Sequence, residues 1–349
     1  MEFRARDQNR TGDLLFTRLF AVQGTNHTIG IDLGGTKTLG VVISNDVGTS
    51  AAMTSTLSVV VDSEQVPSDA HRPESVDTIV AVARSLIERC DGEITAVGVG
   101  LAGFVDGGGV VRSAPNSSGL VDQDVLGRLQ RELAIPAVAD NDANCVALAA
   151  HSILAPDARD LVAVTLGTGI GGGLIVDGAL VRGAHGFAGE PGHMVVDPSG
   201  PLCPCGQRGC WERYASGSGL ALLARAAVER GHAAGLAAAV GGDPALLRGE
   251  HVTDLLATGD PGALSVFDEY AGWVALGVAN LINVLDPEVV VLGGGVLGAG
   301  DELVGRVRQI VASRFPTATD HRDVAIVAAP CGPQAGAVGA ALLARHLTH

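Results

Sequence analysis

Residues Thr28–Ser44 read TIGIDLGGTKTLGVVIS, and residues Leu161–Val176 read LVAVTLGTGIGGGLIV. In each stretch, two runs of small and β-branched residues flank a glycine turn, which is the pattern of a β-hairpin. The two stretches begin about 130 residues apart. A hairpin that recurs at this distance predicts a fold of duplicated halves, and we expect the two turns to face one shared nucleotide.

The turn of the first hairpin favours a phosphate ligand. No helix pattern follows its glycines directly, so it is neither a Walker loop nor a dinucleotide-binding fingerprint. The backbone N–H groups from Gly34 to Lys37 can form an anion-binding nest, with Asp32 placed to hold Mg²⁺ through water. Lys37 is the only lysine of the chain, beside 22 arginines. A plain tight turn would account for the same residues, but the second turn, Gly167–Gly169, repeats the pattern and favours the phosphate interpretation of both.

A candidate metal loop lies at residues 187–219, FAGEPGHMVVDPSGPLCPCGQRGCWERYASGSG. Cys203, Cys205 and Cys210 supply three thiolates within eight residues, and His193 supplies a nitrogen. Three thiolates and one imidazole form a closed tetrahedral set, which is typical of structural Zn²⁺. Buried or disulfide-bonded cysteines are the alternative, and the glycines and prolines between the ligands favour a metal-bound knuckle.

A polar cluster, Asp140-Asn141-Asp142-Ala143-Asn144, separates a predicted strand from an apolar helix. Folds of the α/β class place catalytic groups at the carboxyl end of a strand and at the N-terminus of a helix. The field of the helix keeps Asp142 ionised, as a general base must be. Helix capping by Asp or Asn is the alternative, and four polar residues in five positions exceed what one cap needs.

Strand and helix patterns alternate along the rest of the chain. The expected strands are Thr54–Val61, Ile94–Gly100, Pro136–Ala139, Val289–Leu292 and Val324–Ala328. The expected helices are Pro73–Arg89, Asp122–Leu133, Cys145–Leu154, Ser216–Arg230, Pro261–Leu285, Glu302–Ser313 and Ala335–His346. An Ala/Gly-rich connector leads from Arg230 to Gly249.

Two loop features have open interpretations. The triplet Gly293–Gly295 follows a strand, where it is either a backbone surface for a flat ligand such as adenine or a helix-entry turn. Asn116 follows Pro115 in a loop. Its side chain either contacts a ligand hydroxyl or bonds to the backbone of its own turn.

Size and composition limit the classes of function. The 349 residues suffice for two domains that share a cleft, and 49 glycines with 3% aromatic residues suit aliphatic strands joined by tight turns. A net charge of −15 argues against a nucleic-acid surface. No apolar run is long enough to cross a bilayer, and residues 1–27 lack a signal-peptide pattern. We expect a cytoplasmic protein with small-molecule ligands, no nucleic-acid or membrane partner, and a disordered extension over residues 1–27.

Several of these motifs together resemble the ROK sugar kinases, a family named for repressors, open reading frames and kinases. The resemblance covers Ile29 to Leu347, and its most specific part is Gly189-Glu190-x-Gly192-His193 followed by Cys203-x-Cys205-Gly206-x-x-Gly209-Cys210-x-Glu212. It implies an α/β, two-domain actin-like ATPase (ribonuclease H-like) fold with duplicated mixed-sheet halves and a cleft between them. The smaller domain would span residues 28–145, completed by a C-terminal helix at about 335–349, and the larger domain, with the zinc loop, residues 146–334.

The resemblance also implies the roles of individual residues. The ATP-binding residues would be Asp32, Gly34, Gly35, Thr36, Lys37, Gly167, Thr168, Gly169, Gly293, Gly294 and Gly295. The sugar-binding residues would be Asn116, Asn141, Asp142, Glu190, His193 and Glu212, with Asp142 also the general base. The ligands of a structural Zn²⁺ would be His193, Cys203, Cys205 and Cys210, and Mg²⁺ would be the catalytic ion.

The implied reaction is phosphoryl transfer from ATP to the 6-hydroxyl of glucose. Trp211-Glu212-x-Tyr214-Ala215-Ser216-Gly217 is similar to the form found in bacterial glucokinases, including those of actinobacteria. The alternative is a kinase of another hexose: fructose, mannose, N-acetylglucosamine or N-acetylmannosamine. A sugar-sensing repressor is disfavoured, because no helix–turn–helix pattern precedes Ile29 and the chain is acidic. Polyphosphate as the donor stays open, and we expect a homo-oligomer, a dimer or a tetramer.

Overall fold

The computed structural model describes residues 26–35, 37–45, 60–72, 74–106, 108–114, 118–296, 301–318 and 323–347. Its strands are β1 (Asn26–Leu33), β2 (Lys37–Ser44), β3 (Val60–Pro67), β4 (Glu93–Leu101), β5 (Phe104–Val105), β6 (Val111–Ser113), β7 (Ala137–Asn141), β8 (Leu161–Leu166), β9 (Ile170–Val176), β10 (Ala179–Leu180), β11 (Val289–Gly293) and β12 (Ala325–Ala328). Its helices are α1 (Ser75–Arg89), α2 (Val125–Leu133), α3 (Asp142–Leu154), α4 (Glu212–Ala215), α5 (Gly217–Glu229), α6 (Ala234–Ala239), α7 (Gly249–Ala257), α8 (Pro261–Leu285), α9 (Asp301–Arg314) and α10 (Ala335–Arg345).

The two large sheets have the same strand order. The first runs β3-β2-β1-β4-β7, and the second runs β10-β9-β8-β11-β12. When the five strands of each sheet are counted along the chain, both orders are third, second, first, fourth and fifth. In each half the hairpin is antiparallel, and its first strand pairs in parallel with the fourth strand. The predicted hairpins and the predicted duplication are therefore confirmed.

Helix α10 closes the first half from the far end of the chain. It packs on β1, on β4 and on α3, and α3 in turn contacts strands of both sheets. Glycines in the strands permit this approach, since a Cβ added to Gly30 would lie 1.9 Å from the carbonyl oxygen of Ala337. A Cβ on Gly98 would lie 1.8 Å from the carbonyl oxygen of Ala340. The proposed domain division at residue 145 passes through α3 and stays a prediction.

Capping residues determine where the predicted helices begin and end. The Asp260 carboxylate accepts a hydrogen bond from the N–H of Ala263 at the start of α8, at 2.8 Å, and Pro261 occupies its first turn. Helix α8 ends at Leu285, and its C-cap, Asp286, has φ of 49° and precedes Pro287. These contacts satisfy backbone groups that a helix end leaves unpaired. The predicted bounds of α8 are confirmed.

Two expectations for the secondary structure differ from the fold. The third strand covers Val60–Pro67 instead of Thr54–Val61, of which residues 54–59 lie outside the described residues. Its alternating exposure is that of an edge strand, in which polar residues interrupt the apolar pattern. The connector after Arg230 is not irregular: it contains α6, where alanines with high helix propensity surround the buried Leu236. Among the described residues, no helix is both long and apolar enough to cross a membrane.

Candidate active site

Parallel pairing brings Asp32 and Asp140 to the same edge of the first sheet. Asp32 lies opposite Gly100, and Gly100 lies opposite Asp140, so the carboxyl ends of β1, β4 and β7 are aligned. A Cβ added to Gly100 would lie 3.5 Å from the Cα of Asp142 and 3.7 Å from the carbonyl oxygen of Ile31. The backbones that carry Asp32 and Asp142 therefore both lie beside Gly100.

Asn141 is the residue of the polar cluster that caps α3. Its Oδ1 accepts hydrogen bonds from the N–H groups of Ala143, at 2.9 Å, and of Asn144, at 3.2 Å. Its Nδ2 donates to the carbonyl oxygen of Gly103 at 3.0 Å. The capping interpretation therefore holds for Asn141. A side-chain amide has two N–H donors, so one donor of Asn141 is still available to a ligand.

Three half-buried carboxyl groups form a group of neighbours in the cleft. Burial raises the pKa of Asp142 to about 6, against the opposing effect of a hydrogen bond from the N–H of Ala143. Burial and the charge of Asp142 raise the pKa of Asp32 to about 7, although Lys37 acts in the opposite direction. Burial and the charges of Asp142 and Glu212 raise the pKa of Glu190 to about 7. Such a concentration of negative charge fits a divalent cation, a proton in transfer, or both.

Glu190 enters the cleft on a segment that crosses β9. Gly189 has φ of 88°, and a Cβ there would lie 2.7 Å from the carbonyl oxygen of Gly172. A Cβ on Gly173 would lie 2.6 Å from the carbonyl oxygen of Ala143 on α3. The glycines of β9 therefore let the Glu190 segment and the start of α3 approach the same strand. The sequence contains these glycines, but nothing local to them indicated that role.

The predicted metal ligands come together. One ligand atom from each of His193, Cys203, Cys205 and Cys210 lies within 4.8 Å of all the others. Cys203 Sγ lies 4.0 Å from His193 Nδ1, and Cys205 Sγ lies 3.6 Å from Cys210 Sγ. Tetrahedral Zn²⁺ with Zn–S bonds of about 2.3 Å separates its ligand atoms by about 3.7 Å. The donor set and its dimensions therefore fit a zinc ion.

The sulfur atoms of this group form no disulfide and are available to a cation. All four residues are positioned without an S–S bond, and the three cysteines are free. Burial raises the pKa of Cys210 to about 12, so this thiol would keep its proton at neutral pH unless a cation stabilised the thiolate. Cys205, by contrast, is exposed.

Glu212 connects the metal loop to the second hairpin. Its Oε2 accepts a hydrogen bond from the N–H of Ile170 at 3.0 Å, and its Oε1 lies 4.0 Å from Cys203 Sγ. Five residues later, the N–H of Gly217 donates to the carbonyl oxygen of Gly167 at 2.7 Å. The turn of the second hairpin is therefore held at both ends by the chain that follows Cys210.

The glycine triplet lies beside this turn. Gly293 ends β11 opposite Thr165. Gly294 has φ of 95°, and a Cβ there would lie 2.5 Å from the carbonyl oxygen of Leu166. Gly295 faces open space. The backbone of the glycine triplet and that of the second hairpin turn thus form one surface without side chains, which suits the close approach of a flat or anionic ligand.

Most of the predicted site residues therefore share one cleft, with the two hairpin turns and the metal loop around it. Thr36 and Asn116 lie outside the described residues. Sequence reasoning missed Arg182, whose Nε donates to Asp140 Oδ2 at 2.7 Å. Arg182 is a single arginine ahead of the metal loop, and no local pattern distinguishes it from the others.

Known proteins resemble this chain over nearly its full length. The model of the ROK family matches residues 28–347. A glucokinase of Streptomyces coelicolor is 35% identical over 325 residues, which are 91% of this chain and 97% of that protein. An N-acetylmannosamine kinase of Citrobacter koseri is 32% identical over 319 residues, 91% of this chain and 98% of that protein.

A solved structure agrees with the sequence relatives. The crystal structure of a ROK family glucokinase from Streptomyces griseus in complex with glucose and AMPPNP has a TM-score of 0.79 and 35% identity, and covers 92% of this chain and 99% of that one. This likeness and the repeated sheet topology confirm the predicted fold class, an α/β actin-like ATPase fold with duplicated mixed-sheet halves.

Proposed function

Because the chain belongs to the ROK family, we propose that it transfers the γ-phosphoryl group of ATP to the 6-hydroxyl of glucose. The observation that carries this proposal is the convergence of Asp142, Glu190 and two glycine hairpins on one cleft. A hydroxylated, neutral acceptor needs fixed polar partners, and a nucleotide needs backbone N–H groups for its phosphates. Both are present, and they meet at a carboxylate that can take a proton.

In this proposal the sugar lies between the start of α3 and the metal loop. The carboxylate of Glu190, the second N–H of Asn141 and the free ring nitrogen of His193 would bond to its hydroxyls, with Asn116 as a further partner. Glu212 would contribute as well, since a carboxylate accepts more bonds than the one from Ile170. A site that bonds each hydroxyl rejects analogues that lack one of them.

Asp142 would act as the general base. It accepts the proton of the 6-hydroxyl as that oxygen attacks the γ-phosphorus of ATP, and the bond from phosphorus to the bridging oxygen breaks to release ADP. Asp32 would hold Mg²⁺ through water, and the N–H groups and side chains of Gly34, Gly35, Thr36 and Lys37, with those of Gly167, Thr168 and Gly169, would contact the phosphates. Bound Mg²⁺ would neutralise charge that develops on the phosphate oxygens. The backbone at Gly293, Gly294 and Gly295 would lie against adenosine.

Zinc has a structural role in the proposal. Bound by His193, Cys203, Cys205 and Cys210, it would hold the loop and would fix the orientation of the His193 ring toward the sugar. The cytoplasmic location and the homo-oligomer stay predictions. Light scattering on the purified protein measures the oligomeric state directly.

The first test is a coupled ATP assay with glucose, mannose, fructose, N-acetylglucosamine and N-acetylmannosamine, with a zinc measurement on the same sample. We expect glucose to have the highest kcat/KM. Preference for N-acetylmannosamine would instead support the second candidate, which the relative from Citrobacter koseri favours. No turnover of any of the five sugars would overturn the proposal.

The second test replaces the proposed base. We expect Asp142→Asn to lower kcat by about 10²–10⁴-fold, since that is the usual contribution of a positioned general base. The matched control is Asp177→Asn, at an exposed turn residue whose left-handed φ of 53° suits Asn. Circular dichroism and glucose binding verify that the Asp142 variant is folded. Retention of more than a few per cent of wild-type kcat would remove Asp142 from this role.

A further inference from the structure

The ion pair of Arg182 and Asp140 lies outside the proposed chemistry but next to it. Arg182 Nε donates to Asp140 Oδ2 at 2.7 Å. The other carboxylate oxygen, Oδ1, accepts from the N–H of Asn141 at 2.8 Å and from Asn144 Nδ2 at 2.7 Å. Asp140 therefore uses both oxygens at the junction of β7 and α3, two residues before the proposed base.

The two partners differ in exposure. The side chain of Asp140 is 7% exposed, whereas that of Arg182 is 45% exposed. A buried carboxylate requires a partner for its charge, because removal from water disfavours the ionised form. Asn144, its other side-chain partner, is neutral, so Arg182 supplies the positive charge that Asp140 contacts.

Arg182 also begins the segment that carries Glu190. Its carbonyl oxygen accepts from the N–H of Ala188 at 3.1 Å, which closes residues 182–188 into a loop. The loop leaves β10 of the second sheet, yet its contacts are with the first half. The ring of Phe187 meets that of Phe104 edge-on at 5.3 Å, and a Cβ on Gly186 would lie 2.7 Å from the carbonyl oxygen of Val105.

Apart from these contacts, a cavity lies between the loop and the first half. Its volume is about 480 Å³, and it is lined by residues 182–186 on one side and by Val105, Asp106 and residues 138–140 on the other. The ion pair crosses this space. Glu190 lies two residues beyond the loop, next to Gly189, which packs on β9. Attachment of the loop to the first half therefore contributes to the position of Glu190 relative to α3.

We propose that Arg182 and Asp140 are a positioning pair that holds the Glu190 segment against the start of α3, and so sets the distance between the sugar-binding carboxylate and the proposed base. The role of the pair in sugar binding rests on the proposed function. Neither residue contacts the reacting atoms. Loss of the pair should therefore weaken glucose binding and leave the nucleotide surface, which the two hairpin turns and the glycine triplet would form, unchanged.

The kinetic test uses Arg182→Gln, Asp140→Asn and the double variant, with Arg159→Gln as the matched control, because Arg159 pairs with Asp177 where both side chains are more than 70% exposed. We expect either single variant to raise the KM for glucose about 10-fold or more, as small displacements of substrate-positioning groups do. The KM for ATP should change less than about 2-fold, and the double variant should resemble the singles, because members of one pair are not additive. Arg182→Lys, which keeps the charge, should recover part of the loss.

A second readout does not depend on catalysis. Hydrogen exchange of ligand-free protein should be faster over residues 183–190 in Arg182→Gln than in wild type, with residues 28–44 unchanged. If wild type does not phosphorylate any sugar, the proposed function fails, while the exchange experiment still tests the pair. Unchanged exchange over residues 183–190, an unchanged KM for glucose, or equal increases in the KM for glucose and for ATP would overturn the proposal.

Discussion

The two glycine hairpins occupy equivalent places in the two sheets but differ in chemistry. Asp32 in β1 and Thr165 in β8 both lie two residues before the first glycine of the turn, and both lie opposite a glycine of the fourth strand. The first hairpin therefore presents a carboxylate, with Lys37 after its turn, where the second presents a hydroxyl and Ile170. One backbone arrangement has been kept in both halves, while the hairpin with charged side chains, Asp32 and Lys37, is the one in the half that carries Asp142.

The hairpins also differ in what holds their turns. In the first, the N–H of Gly34 donates to the carbonyl oxygen of Lys37 at 2.9 Å, a bond within the turn itself. The second has the corresponding bond, from Gly167 to Gly169 at 3.0 Å, and in addition the contacts from Glu212 and Gly217. The second turn thus contacts the metal loop. Among the described residues, the first turn is instead contacted from outside its hairpin by the N–H of Ala70, which donates to the carbonyl oxygen of Gly35 at 3.5 Å.

The largest expected effect is on kcat, and it comes from removing the charged residue that the first hairpin has and the second lacks. We expect Asp32→Asn to lower kcat by about 10²–10³-fold, because it removes a carboxylate aimed at the proposed magnesium site. Thr165→Val, at the equivalent position, should change kcat by less than about 3-fold, since no charge is lost there. Steady-state kinetics over a range of Mg²⁺ concentrations measures both variants. Similar losses in the two would mean that the hairpins share the chemical step equally.

A smaller effect is expected from the contacts between the metal loop and the turn of the second hairpin. If the proposed zinc site is correct, removal of the metal by a chelator, or Cys210→Ser, should raise the KM for glucose by about 10-fold or unfold the loop, because the metal would orient His193 and hold the loop that carries Glu212. Hydrogen exchange should then increase over residues 161–176 and stay constant over residues 28–44. Full glucose affinity in metal-free protein, or equal exchange changes in the two hairpins, would contradict the dependence of the second turn on the metal loop.

The smallest effect concerns pH. The raised pKa values of Asp142, about 6, and of Asp32 and Glu190, about 7, predict that kcat/KM falls as the pH decreases through 7 to 6, because the base and the cation site become protonated. A pH–rate profile of the wild type between pH 5 and 9 measures this fall. A flat profile over that range would show that these groups are not the ones that limit turnover.

The stability of the folded protein should change with pH in the opposite direction to kcat/KM, and should fall as the pH rises. In an unfolded chain these carboxyl groups have pKa values near 4, so between about pH 4 and 7 the folded state binds more protons than the unfolded state. The stability they contribute is therefore present below pH 4 and is lost as the pH rises through their folded pKa values. Asp32→Asn should accordingly stabilise the ligand-free protein, by on the order of 1 kcal/mol, more at pH 8 than at pH 5. Denaturant titration of both proteins at the two pH values measures the difference.

Local patterns in the sequence predicted much of the fold. The hairpins follow from β-branched runs around glycine turns, and the helix expected at Pro261–Leu285 has those bounds in the structure. The candidate metal ligands were predicted from their spacing within one loop, where three cysteines and a histidine at short separation match the ligand set of a structural zinc ion. In each case the signal lies within one element or one loop, and the backbone geometry of that element is enough to interpret it.

Tertiary structure alone decided which of these features meet. The adjacency of Asp32 and Asp142 depends on parallel pairing of strands that are distant in the chain, and the raised pKa values depend on burial that no local pattern reports. The pair of Arg182 with Asp140, the clamp from Glu212 to Ile170, and the glycines of β9 under the Glu190 segment are contacts between distant parts of the chain. Hydrogen bonds and desolvation act over a few ångströms in space and not along the sequence. For this protein, therefore, the sequence determined its elements and their chemical groups, and folding determined the distances between those groups.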